Sequence, residues 1–224
     1  DVLGSRGLGD VYKRQIMSTV YLSTAYFAPV SYYASFLRYD RIVIEQWCNY
    51  TKQTYRNRCH IAGANGLLAL SVPIVKPDTI KCPTKDIRIS DHGEWRHLHW
   101  NAIASAYGSS PFFEYYQDDI RPFFEKRYEF LLDFNEEIRR TVCNLIGIEP
   151  HIEYSSSYSE PAPGETDLRD VIHPKRRKAE TILPVQLKPY YQVFSEKYGF
   201  QPDLSIIDLL MNMGPESILI LQNT

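Results

Sequence analysis

Val20-Tyr21-Leu22-Ser23, then Pro29 followed by Val30 to Tyr39, then Arg41-Ile42-Val43-Ile44-Glu45, is the stretch that sets the fold class. The first and last pieces are short, apolar and rich in branched or aromatic residues, the profile of buried strands. Proline at the first turn suits a helix start, and Tyr33 and Phe36 give the segment behind it an apolar side. Strand, helix, strand in so short a span predicts a parallel βαβ unit.

Outward from that unit, Tyr55 to Ile61 and Leu67 to Ile74 flank Gly63-Ala64-Asn65-Gly66, and Asn-Gly between apolar runs predicts an antiparallel hairpin. Asp86 to Ser90 reads as a further strand with Ile87 and Ile89 facing one way. From Asp91 the period becomes helical. Asp91 as N-cap with Glu94 at N3 would make a capping-box variant. Ser109-Ser110 before Pro111 is a second cap signal. A helix is expected from about Asp119 or Arg121 to Leu131, and a third capped by Asn135, with Ile138, Val142, Leu145 and Ile146 on one stripe and a stop at Gly147. Ser155 to Lys178 reads as a long loop or lid ending in the basic run Lys175-Arg176-Arg177-Lys178, for which a solvated loop is the plainer reading. Ser205 to Met213, with Gly214 as a stop, and Ile218 to Leu221 close the chain. The expected class is therefore α/β: a mixed sheet of one short βαβ unit plus an antiparallel hairpin, followed by a mainly helical half, in one domain.

The 224 residues are enough for one sizeable core, and 44% hydrophobic against 23% charged residues indicates a globular protein. Asp1 to Ile16 stands apart. It is glycine-rich and aperiodic, lacks the apolar run of a signal peptide, and resembles translated adapter read-through. It is expected to be a disordered, non-native leader, with Met17 the start of a single domain over 17–224. Without it the balance is 22 basic against 25 acidic residues, in place of 25 against 27 for the whole chain. No global basic field points to nucleic acid, and no run is long enough to span a membrane. Cys48, Cys59, Cys82 and Cys143 show neither CxxC nor zinc spacing, which fits reduced thiols in a cytoplasmic protein. The seventeen tyrosines suit half-buried surfaces and ligand walls alike.

Two groups of residues carry possible chemistry. In an extended strand Arg56, Arg58 and His60 share one face, with Lys52 just upstream and Asn57 between them; arginines so placed hold phosphate or carboxylate in two-pronged fashion. A solvated face paired to nearby acids is the competing reading. On the helix after Asp91, His92, Arg96 and His99 fall on one stripe that runs into Ala102, Ile103 and Ala106, with Tyr107 at its end. His99 and His97 are the acid–base candidates, because histidine titrates near neutrality. Metal binding is not expected, since His97 and His99 lie about 200° apart on a helix and no HExxH-like spacing accompanies them. Asp208 and Asn212, at i and i+4 in an otherwise apolar helix, want partners and could form a pocket wall. No GxGxxG, P-loop or GxSxG is present in the native portion, so no cofactor is assigned.

Tyr26-Phe27-Ala28-Pro29 with Tyr32-Tyr33, Tyr50-Thr51-Lys52-Gln53-Thr54-Tyr55-Arg56-Asn57-Arg58, the Trp95 to Tyr107 helix with Ser110-Pro111-Phe112-Phe113, and Leu204 to Gly214 together resemble the WbqC-like protein family, in matching order across nearly all of 17–221. The resemblance implies a setting in surface polysaccharide (O-antigen) gene clusters and a role in aminoacyl, glycyl or acyl transfer. Longer relatives carry a glycine- and tyrosine-rich segment where Ser155 to Lys178 stands, which puts the substrate in question. Two functions are thus expected to compete: a transferase acting on an anionic activated small molecule, and a non-catalytic binding or assembly protein. Oligomeric state is open.

Overall fold

The first strand, β1 (Thr19–Ser23), leads through helix α1 (Val30–Arg38) to β2 (Arg41–Glu45), and the two strands pair in parallel from Thr19↔Arg41 to Ser23↔Glu45. The computed structural model describes residues 17–79, 81–176 and 187–224. The expected leader lies outside them, as do Arg177 and Lys178 of the basic run. Two more short parallel strands, β5 (Ile152–Tyr154) and β6 (Thr166–Asp167), complete a sheet of order β5-β2-β1-β6. Val20, Ile42 and Ile44 are wholly buried, which is why these strands read as unbroken apolar runs.

The hairpin is also present. Strands β3 (Arg58–Gly63) and β4 (Gly66–Ser71) pair from Arg58↔Ser71 to Gly63↔Gly66 around Ala64 and Asn65. It forms a separate two-stranded sheet, fastened by single backbone bonds: Tyr26 N donates to Tyr55 O at 2.8 Å, and Ser205 N to His60 O at 2.8 Å. The helical half follows, with α2 (Trp95–Tyr107), α3 (Phe113–Ile120), α4 (Pro122–Glu125), α5 (Leu131–Ile146), α6 (Ser195–Tyr198), α7 (Ile206–Met213) and α8 (Ser217–Gln222). One continuous hydrophobic core joins both halves. Its aromatic centre places Phe27 against Phe124 at 6.0 Å and Tyr26 against Phe134 at 5.6 Å between ring centroids. Among the described residues, no helix is long and apolar enough to cross a membrane.

Several local expectations give way to tertiary contacts. Asp91 does not cap α2: the helix starts at Trp95, and Asp91 instead pairs with Arg96 at 2.7 Å and Arg127 at 3.1 Å. His92 therefore precedes the helix and drops out of the stripe. Pro111 likewise precedes α3, which starts at Phe113. The helix expected to reach Leu131 stops after Glu125, because the chain turns extended at Lys126 and Phe130 bridges Arg88. That bridge and the Ile74↔Ile89 bridge are all that remains of the strand expected over Asp86 to Ser90, where Thr84–Asp86 forms a 3₁₀ turn. Asn135 lies inside α5 rather than at its start, and its Nδ2 donates to Arg56 O at 2.8 Å.

Both glycine stops hold. Gly147 ends α5 in the left-handed region at φ 79°, and Gly214 ends α7 at φ 54°. A Cβ at Gly214 would lie 2.4 Å from Phe112 Cδ1. Gly214→Ala therefore combines a strained backbone with a clash, and should cost about 2–4 kcal/mol in denaturant unfolding. Adding Phe112→Ala should recover the clash component; an unchanged midpoint in the single variant would contradict this packing.

Candidate functional site

In open parallel sheets ligands bind beyond the carboxyl ends of the strands, where successive connections leave in opposite directions. Here that point lies between β1 and β6: α1 carries the chain from β1 to β2 on one side, while β6 docks on the other. A narrow cleft of about 10 Å³ opens there. Ser23, Thr24 and Ala25 line it from the end of β1, Thr54, Tyr55 and Arg56 from the segment before β3, and Leu168, Arg169 and Ile172 from the segment after β6. Only the end of a ligand fits between these walls.

Arg56 gives the cleft its character. Only 4% of it is exposed, and its Nη2 donates to Ser23 Oγ at 2.8 Å and Cys48 Sγ at 3.5 Å, neither of them a carboxylate. Among the described residues its Nε is buried without a partner, as is Thr24 Oγ1. A guanidinium held out of water without a carboxylate costs several kcal/mol, so folding alone does not favour it. Arg169, the second guanidinium, is satisfied. It holds Asp167 at 2.6 Å and Glu160 at 3.2 Å, approaches the fully buried Glu45 at 3.8 Å, and lies over the rings of Tyr21 and Tyr158. Glu45 in turn accepts from Trp47 N at 2.7 Å and Ser155 Oγ at 2.9 Å. The turn leaving β1 is strained as well. Phe27, wholly buried, sits at φ 37°, where a bulky residue persists only if its surroundings impose it. Ser205 Oγ donates to its carbonyl at 2.8 Å, and Ile206 N to that of Ala28 at 2.9 Å.

The residues singled out from sequence are not gathered in one place. β3 begins at Arg58, so Arg56 lies ahead of the ladder and turns into the cleft. Arg58, half-buried, donates from Nε to Ser71 Oγ across the hairpin at 2.9 Å, and His60 packs against Tyr55. Asn57 Nδ2 donates to Val72 O, and Lys52 is exposed. Arg96 and His97 line a different, wider groove, where Arg96 lies over Trp95 and His97 Nε2 is 2.9 Å from Asn101 Nδ2. The cleft residues the sequence reading missed are Ser23, Thr24, Thr54 and Arg169. A polar pair ending a buried parallel strand was the available signal for the first two.

His99 and Asp208 are buried members of hydrogen-bond networks. His99 Nδ1 is 2.9 Å from Tyr26 Oη, the backbone of Ser71 takes a further bond, and burial pushes the imidazole down to about 4. Asp208, fully buried, accepts from Tyr107 Oη at 2.9 Å, Tyr190 Oη at 2.8 Å and Gln192 Nε2 at 2.8 Å, and burial raises it to about 6 despite these bonds. Asn212 Nδ2 caps the Asp208 carbonyl at 2.8 Å.

The two shifts act on stability with opposite signs. The His99 contribution is present above pH 6.5 and lost as pH falls towards about 4. That of Asp208 is present below pH 3.8 and lost as pH rises through about 6. Each is worth about 3 kcal/mol, so they largely cancel between pH 4 and 6. Asp208→Asn should unmask the histidine, so that stability falls more steeply than in wild type as the protein is acidified from pH 6.5 to 4. His99→Gln should tilt the profile the other way. Parallel profiles for all three proteins would contradict these assignments.

Comparison with known proteins adds a family. The model of the WbqC-like protein family matches residues 24–186. An uncharacterized protein of Mycobacterium tuberculosis is 25% identical over 214 residues, which cover 86% of this chain and 89% of that protein. No solved structure matches.

Proposed function

Because the chain belongs to the WbqC-like protein family, and because a buried guanidinium with no carboxylate partner among the described residues lies at the carboxyl end of its parallel sheet, we propose that it is a transferase of surface polysaccharide biosynthesis that grips an anionic activated small molecule at Arg56. The observation that carries the reading is the burial of Arg56 beside Ser23 and Thr24, at the carboxyl edge where β1 and β6 meet. The anionic end of the ligand accepts from Arg56 Nε and from Thr24 Oγ1, cleft groups that have no partner among the described residues. The rest of the ligand lies at the mouth, because the cleft is too small to enclose it. Aminoacyl, glycyl or acyl transfer is the reaction class the family setting suggests.

A second reading, a non-catalytic binding protein of the same pathway, is favoured by one observation. His99, the proposed proton carrier, is buried with Tyr26 and the Ser71 backbone on its ring nitrogens, and does not line the cleft. A thermal-shift screen of nucleotide sugars, acyl-CoA esters and aminoacyl-adenylate analogues, followed by mass spectrometry of each stabilising pair with candidate acceptors, tests both. A transferred group supports the first reading. Stabilisation without transfer supports the second, and no stabilisation by any anionic compound overturns the anion-binding reading common to both.

A further inference from the structure

A second cavity, of about 610 Å³, is lined from α2 by Arg96, His97 and Trp100 and shares no residue with the Arg56 cleft. Its volume is in the range of small-molecule sites. Trp100 and Phe124 supply apolar surface. The polar walls are ion pairs: Asp91 accepts from both Arg96 and Arg127, at 2.7 and 3.1 Å, and Arg121 Nε donates to Glu125 at 2.7 Å.

The pairing decides what kind of ligand fits. Each of the three guanidinium groups already has a carboxylate beside it, Arg96 keeping Nε and Nη2 buried over the Trp95 ring without a hydrogen-bond partner among the described residues, and Glu94 adds a third acid to the lining. An oxyanion, which only accepts, would have to displace a carboxylate or sit against one. A hydroxyl can do both things such a pair requires, donating to the carboxylate and accepting from the guanidinium. His97 adds a further polar pair, its Nε2 lying 2.9 Å from Asn101 Nδ2. A ring that bears several hydroxyls on its edge and C–H groups on its face matches both halves of the lining. The positive edges of such C–H groups suit the negative face of an indole.

We propose that this groove binds a neutral, polyhydroxylated ring, a sugar residue without charged substituents. Vicinal hydroxyls lie along the Asp91–Arg127 and Arg121–Glu125 pairs, and the ring lies towards Trp100. This site is independent of the Arg56 cleft and of the function proposed for it.

Saturation-transfer NMR on the full chain tests the assignment, with methyl glycosides of glucose, galactose, mannose and N-acetylglucosamine as probes and inorganic phosphate as the anionic comparison. At least one neutral glycoside should receive saturation at about 20 mM, the scale on which single sugars are held by a few hydrogen bonds. Arg121 and Glu125 are more than half exposed, so Arg121→Ala/Glu125→Ala should keep the fold, and it should weaken binding about tenfold. Asp91→Asn should do the same, whereas Arg56→Met should leave sugar binding unchanged. Saturation of none of the glycosides, tighter binding of phosphate than of every glycoside, or glycoside binding that survives both groove variants would each overturn the proposal.

Discussion

Arg56→Met is expected to leave the protein at least as stable as wild type while removing its response to anionic ligands. The wild-type guanidinium is buried against Ser23 Oγ and Cys48 Sγ, with no carboxylate on it among the described residues. Replacing a buried ion by an apolar side chain of similar length is neutral or stabilising by about 1–4 kcal/mol. The loss of two hydrogen bonds to neutral groups offsets about 1–2 kcal/mol of that gain. The melting temperature should therefore hold or rise by a few degrees. Affinity for any ligand found by the screen should fall about 10- to 150-fold, the value of a charge-assisted contact of about 1.5–3 kcal/mol. A structural ion-pair arginine would behave oppositely, with stability dropping by about 3–5 kcal/mol. Arg58→Ala provides the internal comparison. Its hydrogen bond to Ser71 joins two strands of the hairpin away from the cleft, so that variant should lose a little stability and keep its affinity.

Asp208→Ala should be far more damaging. It strips the acceptor from Tyr107 Oη, Tyr190 Oη and Gln192 Nε2, all in buried side chains. Leaving each of the three donors unsatisfied costs about 1–3 kcal/mol, so the total is about 3–9 kcal/mol, and the melting temperature should fall by about 10 °C or more. The same network joins α2 to α7 and to the segment carrying Tyr190 and Gln192, so the loss should be global and cooperative. Asp208→Asn keeps an acceptor in place and should cost much less. Equal melting temperatures for the alanine and asparagine variants would show that the network does not hold these elements together.

Much of the architecture was legible because its signals are local. Arg41-Ile42-Val43-Ile44-Glu45 can satisfy its side chains only as a buried strand, and the Asn65-Gly66 pair closes the hairpin it predicts. The apolar stripe of α5 and the stops at Gly147 and Gly214 are likewise written in short-range spacing. What was not legible depends on partners distant in sequence. Alternation through Tyr55 to Ile61 assumed that the strand was already paired at Arg56, but Arg56 O is taken by Asn135 Nδ2 from α5. Arg56 thus stands ahead of the ladder, outside the shared face, and lines the cleft. β6 was missed because it is only Thr166–Asp167, too short to show a pattern, and aspartate disfavours strands; the pair is extended because Val20 and Tyr21 offer a ladder. Arg169 stayed hidden with them. His99 drew attention as a titratable group, and spacing gave no sign that Tyr26 and Ser71 would hold it.

The central claim is that Arg56 is an anion anchor. The most direct measurement is a titration of protein labelled with ¹⁵N-arginine, in which the side-chain Nε–H resonances are followed as UDP-glucose, acetyl-CoA and a glycyl-adenylate analogue are added in turn. The Arg56 resonance, identified by its absence in Arg56→Met, should shift saturably with at least one of the three, while that of Arg169, already held by Asp167, moves less. Saturable binding of one of these compounds with the Arg56 resonance unmoved, or binding of equal strength to the Arg56→Met protein, would contradict the account.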